Sequence, residues 1–160
     1  MTIKLSAAIG SGVAAGVLST LAQAAVWILF TDQFPAALFR DARLTAAIVM
    51  GRQVLPPPAG FDATAMAVAT GLHFALSITY GILLALLLSR WPYRHTAVVG
   101  TGFGLALYLV NLYGFTHLYP WFARVRGANT LVAHIVFGLT GAGVYRALVR
   151  YSAAREPPGG

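Results

Sequence analysis

Four long apolar runs, separated by polar or proline-bearing stretches, set the pattern of this chain. Ser6 to Phe30, about Ala63 to Ser89, about Thr96 to Leu118 and Ala128 to Val149 could each, as a helix, cross a hydrocarbon layer of ~30 Å. On the first run Gly12, Gly16, Ser19 and Gln23 fall on one helical stripe, a smooth face suited to close helix contact. The second carries His73, Ser77 and Tyr80 on one stripe. The third opens with Gly100, Gly102 and Gly104 and bears Tyr108 and Asn111 further along. The fourth presents His134, Gly138, Gly141 and Tyr145 on one face. This pattern predicts an all-α polytopic membrane protein, one membrane domain with four transmembrane helices.

The connections carry their own signals. Pro35 ends the first run, and Pro56, Pro57, Pro58 and Gly60 break the chain again before the second. Between those breaks, about 36–54, the composition is helical. Arg40, Asp41 and Arg52 lie on one side of that helix, with Leu38, Ala42, Ala46 and Val49 on the other. Its length and charge predict an interfacial helix, not a fifth span. Arg90, Trp91, Pro92, Tyr93 and Arg94 make a short basic turn between the second and third spans. The third span runs out into Tyr119, Pro120, Trp121 and Phe122, followed by Arg124 and Arg126, the aromatic and basic mixture of a membrane–water interface. Residues 151–160, rich in Pro and Gly, are expected to form a disordered tail. Ala22, Gln23 and Ala24 mimic a leader-peptide cleavage site, but the apolar run continues through Phe30, which favours a retained span.

Composition sharpens the class. Hydrophobic residues make up 58% of the 160 and charged residues 9%, against about a quarter charged in soluble domains, so lipid must solvate most of the surface. The net charge of +7 comes from residues placed singly or in pairs at the edges of apolar runs. There they orient spans and meet lipid phosphates; nucleic acid is not an expected partner. The absence of cysteine excludes disulfides and thiolate chemistry. Lys4, Arg90, Arg94, Arg146, Arg150 and Arg155 fall on one side, and Arg40, Arg43, Arg52, Arg124 and Arg126 on the other. The tight flanks of the first group favour both termini in the cytoplasm.

Phe30-Thr31-x-x-Phe34-Pro35 ends the first span and Phe115-Thr116-x-x-Tyr119-Pro120 ends the third. His73 precedes a Thr by six residues, and so does His134. The chain therefore reads as two tandem helical hairpins, a parallel repeat about an axis along the membrane normal.

Polar groups inside a bilayer are costly and so carry information. Gln23, His73, Asn111 and His134, one per span, are expected at a similar depth, with Tyr80 and Tyr108 nearby. One reading makes this layer a packing device that fixes helix register. A second makes it a polar solute pathway, as in a small transporter or channel subunit. A third has His73 and His134 ligate a haem b iron or another metal. The two-hairpin pattern further predicts that the two histidines are energetically coupled, directly or through Asn111 and Gln23. All four carboxylates, Asp32, Asp41, Asp62 and Glu156, lie in connections. No nucleophile triad, phosphate loop or dinucleotide motif is present, so an enzyme is not expected.

At His73-Phe-Ala-Leu-Ser-Ile-Thr-Tyr and from Tyr119-Pro-Trp-Phe through His134-Ile-Val-Phe-Gly, the chain resembles small four-span bacterial inner-membrane proteins of the YagU-like family. Relatives of that type are sometimes labelled sodium:proline symporters, a class that needs far more helices. The resemblance implies a multi-pass inner-membrane protein of uncharacterised function. Arg126 stands in the region where the family pattern tends to carry an acidic residue. The expectation is a structural or accessory membrane component without a cofactor, partnered by the lipid bilayer and by further copies of itself or another membrane protein.

Overall fold

The structure, a computed structural model, describes residues 3–57 and 60–155. Among these residues five α-helices run in order: α1 Leu5–Phe30, α2 Ala36–Met50, α3 Ala63–Leu88, α4 Thr96–Leu109 and α5 Ala128–Arg155. The described residues contain no strand. Four helical stretches, Leu5–Phe30, Ala63–Leu88, Tyr93–His117 and Ala128–Arg155, are long and apolar enough to cross a membrane.

The distribution of side chains is that of a protein solvated by lipid. Leu21, Leu29, Phe30, Leu83, Val98, Leu105 and Leu109 face outward, whereas the buried face of α1 carries Ala7, Ala8, Ser11, Gly12, Ala15, Gly16 and Ser19. In water that arrangement would expose apolar surface at high cost. In hydrocarbon the large apolar residues lose nothing by facing out, and small residues let helix backbones approach. The four long helices pack in the order α3, α1, α5, α4, with α5 seated between α1 and α4, and with α3 and α4 touching little. Ala7, Ala8, Leu84, Ala85, Leu88, Val99, Ala142 and Tyr145 form the main core; Ala15, Leu107 and Phe137 form a second beside it.

Two crossings are close enough to require glycine. A Cβ at Gly81 would lie 2.7 Å from the Ala8 carbonyl oxygen and from the Gly12 Cα. One at Gly138 would strike the Gly100 carbonyl and lie 2.8 Å from the Gly104 nitrogen. Gly102, by contrast, has open space around it, so only alternate members of the Gly100–Gly104 run serve the contact.

Helix ends are satisfied by side chains. Asp62 caps α3 by accepting from the Ala65 N–H at 2.9 Å. At the other end of α3, Arg146 donates to the Leu88 and Trp91 carbonyls at 2.9 and 2.6 Å, a cation placed at the C-terminal end of the helix.

The structure departs from the sequence reading in three places. The helix expected over 36–54 stops at Met50, because Gly51 takes a φ of 86°, and a separate tight turn covers Arg52–Val54. This α2 packs on α3 through Ala46 against Ala65 and Ala69, while Val49, placed on the apolar side with Ala46, is 66% exposed. The third span is not one regular helix to Leu118. A wide π turn covers Val110–Gly114 and tight 3-10 turns cover Phe115–His117 and Pro120–Val125. Finally, α5 continues to Arg155, five residues into the expected disordered tail. The Ser152 hydroxyl bonds to the Leu148 carbonyl and the Arg155 guanidinium stacks on Tyr151, contacts available only on a helix. Pro58 and residues 156–160 of the expected breaker and tail lie outside the described residues.

Candidate functional site

The polar side chains predicted to share one layer fall into two groups. The first joins α3, the π turn and α5. The Tyr80 hydroxyl donates to Asn111 Oδ1 at 2.9 Å, and Asn111 Nδ2 lies 3.3 Å from His134 Nε2. His134 Nδ1 lies 2.8 Å from the Thr130 carbonyl. That carbonyl can only accept, so Nδ1 carries the proton, and Nε2 of the neutral ring accepts from the Asn111 amide. Every direction in the chain Tyr80→Asn111→His134→Thr130 is thereby set with no charged member. Tyr108, buried, places its ring 5.7 Å from the His134 ring, edge to face, and 5.9 Å from Tyr113.

The π turn supplies the Asn111 end of this chain. A π turn adds one residue to a helical turn and so rotates the later residues about the helix axis. Within this turn the Leu112 carbonyl is met by Arg126 Nε at 2.7 Å. Arg126 also donates from Nη2 to Thr116 Oγ1 at 2.8 Å and lies over the Tyr113 ring at 4.3 Å. Expected to be an interfacial anchor, Arg126 is also a strut for the irregular backbone beside Asn111.

The second group joins α1 and α3 around one backbone oxygen. The Gly16 carbonyl receives the Ser19 hydroxyl at 3.1 Å, the Thr20 hydroxyl at 2.9 Å and His73 Nε2 at 3.2 Å. Here Nε2 must carry the proton, the opposite tautomer from His134. The absent Cβ of Gly16 admits the ring: an added one would sit 3.1 Å from His73 Nε2 and 2.7 Å from Ser77 Oγ. His73 and His134 share no hydrogen-bond partner among the described residues, and Gln23 takes part in neither group. Tyr80, Asn111 and His134 are thus brought together with Tyr108 alongside, whereas His73 and Gln23 are not. The residues that sequence reasoning missed are Thr20 and Thr130; Gly16 was expected on the contact face of α1, but not as the acceptor for His73. The hydroxyl of Thr20 and the backbone carbonyl of Thr130 are ordinary features of apolar helices, and only the folded contacts single them out.

Of the expected interfacial residues, Trp121 docks inward. Its indole N–H donates to the Leu44 carbonyl at 2.9 Å, and its ring clusters with Tyr119 and Phe122. This bond ties the Pro120–Val125 turn to α2. Arg124 is exposed.

Two open clefts lie near this end of the bundle. One, of about 230 Å³, is lined by Trp27, Thr31, Gln33, Arg40, Arg124 to Gly127 and the first residues of α5, Ala128 to Thr130. Its neighbour, of about 370 Å³, is lined by Asp32, Gln33, Ala36, Ala37 and Arg40. Neither is lined by Tyr80, Asn111 or His134. Arg40 is held by Asp41, Nε to Oδ1 at 2.8 Å. Burial pushes the Asp41 carboxyl above its ordinary value, and the bond to Arg40 and its charge offset part of that rise. Compared with protein-family models, curated proteins and solved structures, the chain matches none.

Proposed function

We propose that the protein is a structural or accessory component of a bacterial inner membrane, with both termini cytoplasmic and no catalytic role. The observation that carries this reading is the closure of the polar chain on itself. Tyr80, Asn111 and His134 spend their facing donors and acceptors on one another and on the Thr130 carbonyl, which suits a register-fixing device inside a bilayer. The tandem-hairpin reading belongs to the same proposal. It is supported by Thr31 and Thr116, each of which turns its hydroxyl back onto a preceding carbonyl, Trp27 at 3.0 Å and Tyr113 at 2.8 Å. The resemblance to YagU-like inner-membrane proteins points the same way. In this reading α2 and the Pro120–Val125 turn lie at the periplasmic interface, pinned together by Trp121.

Two experiments test it. A C-terminal alkaline phosphatase fusion should be inactive and a fluorescent fusion bright; the reverse inverts the orientation. Vesicles containing the purified protein should be no leakier to protons or small polar solutes than empty vesicles. A flux that Asn111→Leu abolishes while the fold persists would replace the structural role by a solute pathway.

A further inference from the structure

The 230 Å³ cleft combines features that the bundle's packing does not require. It is small, below the roughly 300–1,000 Å³ of pockets for drug-sized ligands. Three arginines line it, Arg40, Arg124 and Arg126, and no carboxylate does; Asp41 is bonded to Arg40, and Asp32 lines the adjoining cleft. Two of the three guanidiniums are held in place by groups outside the cleft. Arg40 is fixed through Nε, and Arg126 through Nε and Nη2, leaving Nη1 and Nη2 of the first and Nη1 of the second free of these bonds. Arg124 makes no hydrogen bond among the described residues and is exposed. Guanidiniums anchored through part of their fork and open at the rest suit an anion with several oxygens.

Asn129 lines the same cleft as a neutral polar residue; its Oδ1 is buried and offers a ligand no accessible surface. Thr31 and Gln33 add neutral polar groups to the same wall. The cleft opens where α1 ends and α5 begins, the level at which a bilayer places its headgroups if the four long helices span it.

We propose that this cleft binds a phosphate ester of the glycerol phosphate type, with Arg124, Arg126 and Arg40 on the phosphate. The ester is the headgroup of an anionic phospholipid or the free compound. The lipid arm rests on the proposed membrane role; the free-ester arm does not.

The test uses the full chain purified in a neutral maltoside detergent. Phosphatidylglycerol is titrated against thermal unfolding, with phosphatidylcholine as the neutral control, and glycerol 3-phosphate and inorganic phosphate are titrated by calorimetry. Saturable stabilisation by phosphatidylglycerol but not phosphatidylcholine identifies the headgroup. Calorimetric binding of glycerol 3-phosphate without a lipid effect identifies the free ester. In either case Arg124→Gln weakens binding about fivefold or more, the loss of roughly one guanidinium's attraction. Inorganic phosphate is weakened by the same change, since the guanidiniums act on the phosphate group. Arg94→Gln, at the opposite end of the bundle, leaves both unchanged. Because Arg124 makes no internal hydrogen bond, its replacement does not threaten the fold, and circular dichroism verifies this. Equal losses in Arg124→Gln and Arg94→Gln, or no saturable binding by either ester, overturn the proposal. Partition of the protein into the aqueous phase of a Triton X-114 separation would defeat the membrane reading. Calorimetry on that soluble protein would still decide the cleft.

Discussion

The pairs α1/α3 and α4/α5 each cross through glycines and each carry a histidine at a matching motif position, yet the two histidines are bound in opposite ways. In the first pair α1 stays regular to Phe30, and His73 donates from Nε2 to a backbone oxygen that Gly16 leaves open. In the second, α4 gives way to a π turn at Val110, and His134 donates from Nδ1 to its own helix while accepting from Asn111. The difference lies in what the partner helix offers. A regular helix has its carbonyls engaged, so His73 shares an occupied one. The π turn presents an amide side chain, which accepts from Tyr80 on one side and donates to His134 on the other. The same sequence grammar therefore yields a two-helix clasp in one pair and a three-element chain in the other.

The largest expected effect tests the crossings. At Gly138 an added Cβ meets the backbone of Gly100 and Gly104, which cannot rotate away; at Gly16 it meets the side chains of Ser77 and His73, which can. Gly138→Ala should cost about 3 kcal/mol and Gly16→Ala about 1, within the range for overpacked sites. Gly102→Ala, with open space around it, should be neutral. Unfolding by a denaturing detergent, followed by circular dichroism, measures all three. Equal costs at Gly138 and Gly16 would mean the crossings are equally tight.

Next come the polar groups. Asn111→Leu strands the Tyr80 hydroxyl and the acceptor nitrogen of His134, and should cost about 1–2 kcal/mol, given ~0.6 on average and ~1.7 at most per interhelical bond. His73→Leu should cost only about 0.6 kcal/mol, since Thr20 and Ser19 still serve the Gly16 carbonyl. The reverse ranking would make His73 the more consequential residue.

A smaller effect separates the two groups. Tyr80→Phe and Asn111→Leu share a bond and should couple by about 0.5 kcal/mol or more in a double-mutant cycle. His73→Gln and His134→Gln, which share no partner among the described residues, should add within about 0.5 kcal/mol. This replaces the coupling of the two histidines that the sequence pattern suggests. Coupling between them would restore a single layer.

The smallest effect belongs to α2, outside both pairs. With the Asp41 carboxyl raised by burial, the folded chain binds more protons than the unfolded one between the ordinary carboxylate value and the raised one. Stability should therefore fall as pH rises through that window. Asp41→Asn should flatten this dependence in thermal scans taken across it.

The sequence by itself determined the class and the number of long helices, because hydrophobic length is read against a bilayer of given thickness without reference to other contacts. It also singled out Gly100, Gly138, Tyr80, Asn111 and His134, since glycine and polar side chains are costly in apolar helices unless something uses them. Tertiary structure alone decided what uses them. The order α3, α1, α5, α4 seats the two pairs side by side on α1 and α5 and leaves α3 and α4 nearly apart, although a symmetric repeat would make those two contacts alike. The π turn at Asn111 was not legible, because no local residue demands it; its position is stabilised by Arg126 reaching back fourteen residues to the Leu112 carbonyl. Nor was the split between His73 and His134. Depth along a helix can be counted in residues, but the direction in which a side chain points across the bundle depends on how the helices are rotated. That rotation is set by which glycines meet, Gly138 against Gly100 and Gly104, and Gly81 against Gly12.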